Sequence, residues 1–369
     1  MGSRPHPSRL SVVGALDAPP AGSGYRFPAE WEPHAATWIA WPHERSDWPG
    51  KFPAIPLVYA EIVRWLSRSE RVRIEVNGPG HERIARRVLR RAGVDLEMVD
   101  FFHIRTDRVW TRDHGPLFVV HPEGEVALTH WRFDGWAKYP NHRRDDAVPD
   151  LIARAQGRRQ WKPTARFGGK VQEVVLEGGS IDVNGAGTLL TTEECLLSPV
   201  QARNPGLTRS ELERVLSEQL GVRKVLWLGE GIVGDDTHGH VDDLARFVDE
   251  TTVVLATEGD RTDANHARLE ENRRRLATMT DADRRPLRVV ALPMPRPVVW
   301  EGQRLPASYA NFYVANEVVL VPTFNDPRDH LALATLAELF PSRRVVGIHA
   351  VDLVWGLGTL HCMTQQEPA

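Results

Sequence analysis

Only two of the 369 residues are cysteine, Cys195 and Cys362. That is too few for a disulfide framework, so a reducing compartment is expected. Long hydrophobic runs are missing as well. None approaches the ~20 residues needed to cross a bilayer, and Asp17 with the prolines after it spoils a signal-peptide reading of Leu10 to Ala18. An excess of one charge is also lacking. Lys and Arg total 46 against 49 Asp and Glu, a net charge of -3, which gives no whole-chain electrostatic reason to bind nucleic acid or an anionic membrane. The glycine-containing segments carry no nucleotide fingerprint. The expectation is a cytoplasmic protein with ample length for a buried core. Residues 1–24, rich in Pro, Gly and Ser, read as a flexible tail. Residues 25–369 read as a single domain, because no Pro/Ser-rich linker divides them.

What is present is a repeat. Three segments have the pattern of a β-hairpin: Ser180 to Thr191, with an Asn184-Gly185 turn, Leu244 to Leu255, and Tyr309 to Pro322. A weaker copy runs from Gly115 to Leu128. Each of the three stronger hairpins is followed by a helical pattern and then a strand. These are Thr208 to Leu220 (with Thr208 or Ser210 as cap) and Val222 to Leu228, Asp263 to Met279 and Leu287 to Leu292, and Arg328 to Leu339 and Arg344 to Ile348. The unit is strand, strand, helix, strand, with a period of about 65 residues. The N-terminal stretch supplies another copy: strand Ala36 to Ala40, helix Ile55 to Arg68, strand Val72 to Val76. A helix, Gly80 to Arg91, and a strand, Val94 to Met98, lead onward. About five units result, and a C-terminal strand around Cys362 is free to close a ring. The competing reading is an ordinary mixed α/β domain whose hairpins merely look alike.

Polar residues suited to chemistry stand just before each hairpin. Asp113 lies in Trp110-Thr-Arg-Asp-His-Gly-Pro116, Glu177 in Leu176-Glu-Gly-Gly-Ser180, and His240 and Asp242 in Gly234-Asp-Asp-Thr-His-Gly-His-Val-Asp-Asp243. The steps from Asp113 to Glu177 to Asp242 are roughly 64 and 65 residues, matching the repeat. Units related by rotation would bring these side chains together on an axis, facing Cys362 on the closing strand. Cys362 follows a Gly-rich, polar-ended segment, Trp355-Gly-Leu-Gly-Thr-Leu-His361, in which Gly356 and Gly358 permit close approach of a ligand. Cys195, in an apolar run, reads instead as a small buried hydrophobe. Buried carboxylates without counter-charge are costly. A planar guanidinium would relieve them, because its forked donors fit carboxylates bidentately. A thiolate facing its central carbon then suggests nucleophilic substitution, with the His moving protons.

These motifs, with Asn311-Phe-Tyr313, His361-Cys-Met-Thr-Gln-Gln366, Trp31-Glu-Pro-His34 and Thr37-Trp-Ile-Ala-Trp-Pro42, together resemble the agmatine deiminase family, which includes bacterial peptidylarginine-deiminase-like proteins. The resemblance runs from about Tyr25 to the C-terminus. It implies the pentein fold, a five-bladed α/β propeller of ββαβ-type units, and hydrolysis of a guanidino group to a ureido group and ammonia without metal or organic cofactor. By position it implies Cys362 as nucleophile and His240 as general acid/base, with Asp113 and Asp242 gripping the guanidinium nitrogens. Glu177 would hold the guanidinium or orient the His, and Trp110 would pack on the substrate, with Gly358 beside it. A homo-oligomer is implied by the resemblance only.

Some positions depart from the family pattern as it resembles this chain. They are Phe133-Asp-Gly-Trp136, Ala137-Lys138, His114, His238 and Gly358-Thr-Leu-His361, each a candidate lining of the pocket that reads the non-guanidine end. Agmatine is the first choice of substrate, with another guanidino compound or a peptidyl arginine as the alternative. Three rival readings remain. His238-Gly-His240-Val-Asp242 has the spacing of a hydrolytic metal site. Transfer of the amidino group to an amine would use the same nucleophile, and a non-enzymatic binder would use the ring as a scaffold. Asp235-Asp236 reads as a solvated loop or cap, and the twelve Trp residues as mainly core.

Overall fold

The computed structural model describes residues 18–369. The expected repeat is present as five small sheets. In one, Asp182–Val183 runs antiparallel to Thr188–Thr192, which is parallel to Lys224–Leu228. A second joins Ala245–Phe247, Thr252–Thr257 and Arg288–Pro293 in the same sense. A third joins Tyr313–Val314, Val318–Thr323 and Arg344–His349. The weak hairpin is the fourth, Leu117–Val120 with Val126–Thr129 and a short parallel partner, Gln160–Trp161.

The parallel step in each blade needs a long crossover, supplied by a helix: Arg209–Leu220, Ala264–Leu276, Asp329–Leu339 or Val148–Gln156. Arg209–Leu220 shows why the sequence takes this form. Thr208 and Glu211 close a reciprocal capping box, and Leu212, Val215, Leu216 and Leu220 bury one stripe. Central strands such as Val318–Thr323 are buried along almost their whole length, which is why they read as apolar runs instead of alternating ones. The Asn184-Gly185 turn forms as expected, with Asn184 Oδ1 accepting from the Ala186 and Thr188 N–H groups at 2.9 Å each and Gly185 at φ 68°.

The fifth sheet contains both ends of the fold. Gln365–Pro368 pairs antiparallel with His34–Ala40, and Arg71–Glu75 and Val99–Phe102 extend it in parallel. Thr37 faces Gln366 and Trp38 faces Gln365 across the seam. The largest apolar cluster links this blade to the one at Tyr313–His349, and Leu360, Cys362 and Met363 belong to it.

Three expectations are corrected. The strand placed at Val94 to Met98 lies at Val99–Phe102, because Asp95 accepts from the Glu97 N–H and caps a 3-10 turn at Leu96–Met98. The closing strand begins at Gln365, so Cys362 sits in the turn before it. Of the tail expected at 1–24, residues 1–17 lie outside the described residues. Residues 18–24 are held to the body: Ala21–Ser23 form a 3-10 turn, and Trp161 Nε1 donates to the Ala18 carbonyl at 3.1 Å. Among the described residues, no helix is long and apolar enough to cross a membrane.

Candidate active site

Each blade delivers a side chain from the same place, the turn ahead of its first strand. Asp113 lies in the short helix Thr111–His114 before Leu117–Val120. Glu177 precedes the turn Gly178–Ser180, and Asp242 lies in the turn Val241–Asp243 before Ala245–Phe247. Asn311 precedes Tyr313–Val314, and Cys362 precedes Gln365–Pro368. His240 Nδ1 is 3.7 Å from Asp113 Oδ1 and 3.9 Å from Asp242 Oδ1, and its Nε2 is 3.7 Å from Glu177 Oε2. Cys362 Sγ lies 3.7 Å from Asp242 Oδ2. All seven residues singled out above meet here, Trp110 and Gly358 included. A β-carbon on Gly358 would stand 2.7 Å from Trp110 Cζ3 and 3.1 Å from Cys362 Cβ. The glycine therefore makes room for the indole that stands beside Cys362.

A cavity of about 380 Å³ opens onto Cys362 and Asp113 between Trp110, Trp136, Tyr139 and Gly358, and Asp47, Arg108 and Asp236 also line it. His240, Glu177 and Asp242 are buried, each at 1% exposure or less. Among the described residues, Glu177 Oε2, Asp242 Oδ1 and both His240 ring nitrogens have no hydrogen-bond partner. Buried polar atoms left in this state are costly unless a ligand satisfies them.

The supporting contacts set the electrostatics. Glu177 Oε1 accepts from Arg203 Nε at 3.0 Å, both side chains being wholly buried. Burial opposes ionisation of Glu177, but the Arg203 guanidinium and His240 outweigh it and bring its pKa to about 2. Asp113 accepts from Trp136 Nε1 at 2.9 Å and from the Gly179 N–H at 3.1 Å. Burial raises its pKa to about 6, with His240 opposing the rise and Asp242 and Glu177 adding to it. Burial would lower the His240 pKa, yet Asp113, Cys195 and Glu177 hold it well above its ordinary value, favouring the protonated ring. Asp242 Oδ2 meets His361 Nδ1 at 2.7 Å, and His361 Nε2 meets Glu30 Oε2 at 2.8 Å. Despite burial, His361, His240 and Arg246 hold the Asp242 carboxyl low. Burial and the carboxylates of Asp242, Asp243 and Asp113 push the Cys362 thiol well up.

Several supports were not read from the sequence. Asp235, expected to be a loop or cap residue, takes the capping role, accepting from the Gly239 and His240 N–H groups at 2.7 and 2.9 Å and so fixing the loop that carries His240. Cys195 is not merely core, since its sulfur lies within 4.8 Å of ligating atoms of Glu177 and His240. Of the departing positions, Trp136 lines the cavity, and Lys138 and Tyr139 bind Asp236. His114 is buried with its Nε2 3.6 Å from Glu75 Oε2. His238 turns to Ser198, its Nε2 3.1 Å from Oγ, so the His-x-His pair does not converge on one ion.

The chain matches the model of the Porphyromonas-type peptidyl-arginine deiminase family over residues 26–368. It belongs to that family. Among its relatives, the agmatine deiminase of Ectopseudomonas mendocina is 35% identical over 377 aligned positions, covering 96% of this chain and 98% of the relative. The solved agmatine deiminase of Enterococcus faecalis superposes with a TM-score of 0.87 at 31% identity, covering 96% of this chain and 98% of the other. The arginine deiminase, so described in its structure as putative, of Porphyromonas gingivalis gives 0.80 at 33% identity, covering 93% and 98%. The fold is the five-bladed pentein propeller, and membership of this deiminase family makes the chain a hydrolase of the carbon–nitrogen bonds of amidines.

Proposed function

We propose that the chain hydrolyses agmatine to N-carbamoylputrescine and ammonia through a thiouronium intermediate on Cys362. The observation that carries this reading is the Cys362 sulfur beside Asp242, with three buried carboxyl groups, Asp113, Asp242 and Glu177, gathered around His240. A guanidinium supplies the charge this pocket lacks, and its planar donors match Asp113 and the free Asp242 Oδ1. Relatives named as agmatine deiminases over nearly the full chain support the choice of substrate.

The entering cation lowers the cost of ionising Cys362, whose proton passes to solvent through the open cavity, and the thiolate adds to the guanidinium carbon. A proton from His240 goes to the departing nitrogen, the carbon–nitrogen bond breaks, and ammonia leaves. The S-alkylthiouronium remains on the enzyme. His240, now neutral, takes a proton from water as its oxygen bonds to the same carbon, and collapse expels the thiolate and leaves a ureido product. Trp110 walls the alkyl chain. Asp47, whose Oδ1 pairs with Arg108, leaves its Oδ2 buried on the cavity wall with no hydrogen-bond partner among the described residues, and this oxygen is offered to the distal ammonium. Both free thiols are buried, which fits a reducing, cytoplasmic setting. The test is ammonia release from agmatine, free arginine and a blocked peptidyl arginine, with Cys362→Ala as control. Cys362-dependent release from agmatine in preference to the other two is expected. Preference for either of the others would overturn the substrate assignment.

A further inference from the structure

Asn311 holds the place in its blade that Asp113, Glu177 and Asp242 hold in theirs, but its side chain is a neutral amide and completely buried. The amide oxygen accepts from Thr359 Oγ1 at 2.7 Å, from the His361 N–H at 3.0 Å and from the Cys362 N–H at 3.4 Å. The amide nitrogen donates to Asp243 Oδ1 at 3.0 Å and to Cys362 Sγ at 3.1 Å. These partners fix the orientation. A flipped amide would set N–H groups against donors and its oxygen against a carboxyl group. One side chain thus clamps residues 359–362 with its oxygen and aims an N–H at the nucleophile.

That donor stands in unfavourable surroundings for a thiolate. Asp242 Oδ2 is 3.7 Å from the sulfur, and Asp242, Asp243 and Cys362 present atoms within 4.8 Å of one another. A neutral N–H stabilises sulfur anion without competing for the carboxylates that the guanidinium needs. A cationic donor at the same place would compete.

We propose that Asn311 is a catalytic residue of this site, donating a hydrogen bond to the Cys362 thiolate that attacks and is later expelled, while its oxygen fixes the loop carrying that sulfur. The inference rests on the reading of Cys362 as the nucleophile.

The test is the pH dependence of Cys362 alkylation by iodoacetamide without substrate, followed by peptide mass in the full-length protein, alongside steady-state agmatine kinetics. It uses wild type, Asn311→Ala, Asn311→Asp and Thr359→Val. Asn311→Asp is isosteric and keeps the oxygen that clamps the loop, which guards against a collapsed Asn311→Ala. Loss of a hydrogen bond to a charged group predicts an upward shift of the alkylation midpoint by about one to two pH units in both Asn311 variants. It also predicts a fall in kcat of roughly tenfold to a hundredfold, with KM within about threefold. Thr359→Val removes one clamp bond but not the donor, so its midpoint should stay in place. An unmoved midpoint in folded Asn311→Asp, or an equal shift in Thr359→Val, would overturn the proposal. Retained activity in Cys362→Ala would instead defeat the reading of the nucleophile, and the alkylation shift would still report on the N–H to sulfur bond.

Discussion

Arg203 never meets the cavity, yet its removal should disable the site. Its Nε donates to Glu177 Oε1 at 3.0 Å with both side chains fully buried, and its Nη1 donates to the Gln201 carbonyl at 2.9 Å. Lowering the Glu177 pKa from 4.5 to about 2 corresponds to about 3 kcal/mol of stability at neutral pH. This agrees with the ~3–5 kcal/mol typical of breaking a buried pair from one side. The group's folded pKa is depressed, so the contribution is complete above the unfolded value and is lost as pH falls towards about 2. In Arg203→Met, Glu177 keeps only His240, at 3.7 Å, as a counter-charge. The variant should lose about 3 kcal/mol in denaturant unfolding at pH 7, and less at pH 3, where Glu177 of the unfolded wild type is itself protonated. Its kcat should fall at least tenfold, because the imidazolium and a partly protonated Glu177 then share one proton. Arg203→Lys should recover part of both losses. Wild-type stability and turnover in Arg203→Met would refute the claim that this ion pair sets the charge of the site.

Other expectations follow from the same geometry. The Asp113 pKa of about 6 belongs to a group that must be ionised to hold the guanidinium, so kcat/KM for agmatine should drop about tenfold per unit as pH falls below about 6. A flat profile to pH 4.5 would contradict that role. Asp47→Asn should raise the KM for agmatine roughly tenfold or more and leave kcat within about threefold, the loss expected for one charged hydrogen bond. An alkylguanidine without the terminal amine should not notice the change. Equal effects on both substrates would remove Asp47 from tail recognition.

The legible part of this molecule was what is periodic. Capped helices such as Arg209–Leu220 and apolar central strands such as Val318–Thr323 carry local signals. The steps between Asp113, Glu177 and Asp242 follow from the blades that present them. Asn311 falls inside the segment Tyr309 to Pro322 that reads as a hairpin, because the strand begins only at Tyr313, and its neutral side chain gives no charge signal of a site. Arg203 and Asp235 sit in loops without periodicity, and their partners are set by tertiary folding. The His361 contact with Glu30 joins residues from opposite ends of the chain, which no local pattern encodes. Gly358, which permits close approach of a ligand, lines the cavity and also leaves room for Trp110, a second role that no local pattern encodes. The displaced strand at Val99–Phe102 shows a side-chain cap, Asp95, overriding an apolar stretch.

The central claim is a covalent bond between substrate carbon and Cys362, and it can be weighed directly. Enzyme quenched in acid during turnover of agmatine, then digested and examined by mass spectrometry, should yield a Cys362 peptide heavier by agmatine less ammonia. That species should be absent from Cys362→Ala, which should also release no ammonia. An unmodified Cys362 peptide throughout turnover, together with ammonia release by Cys362→Ala, would contradict the account.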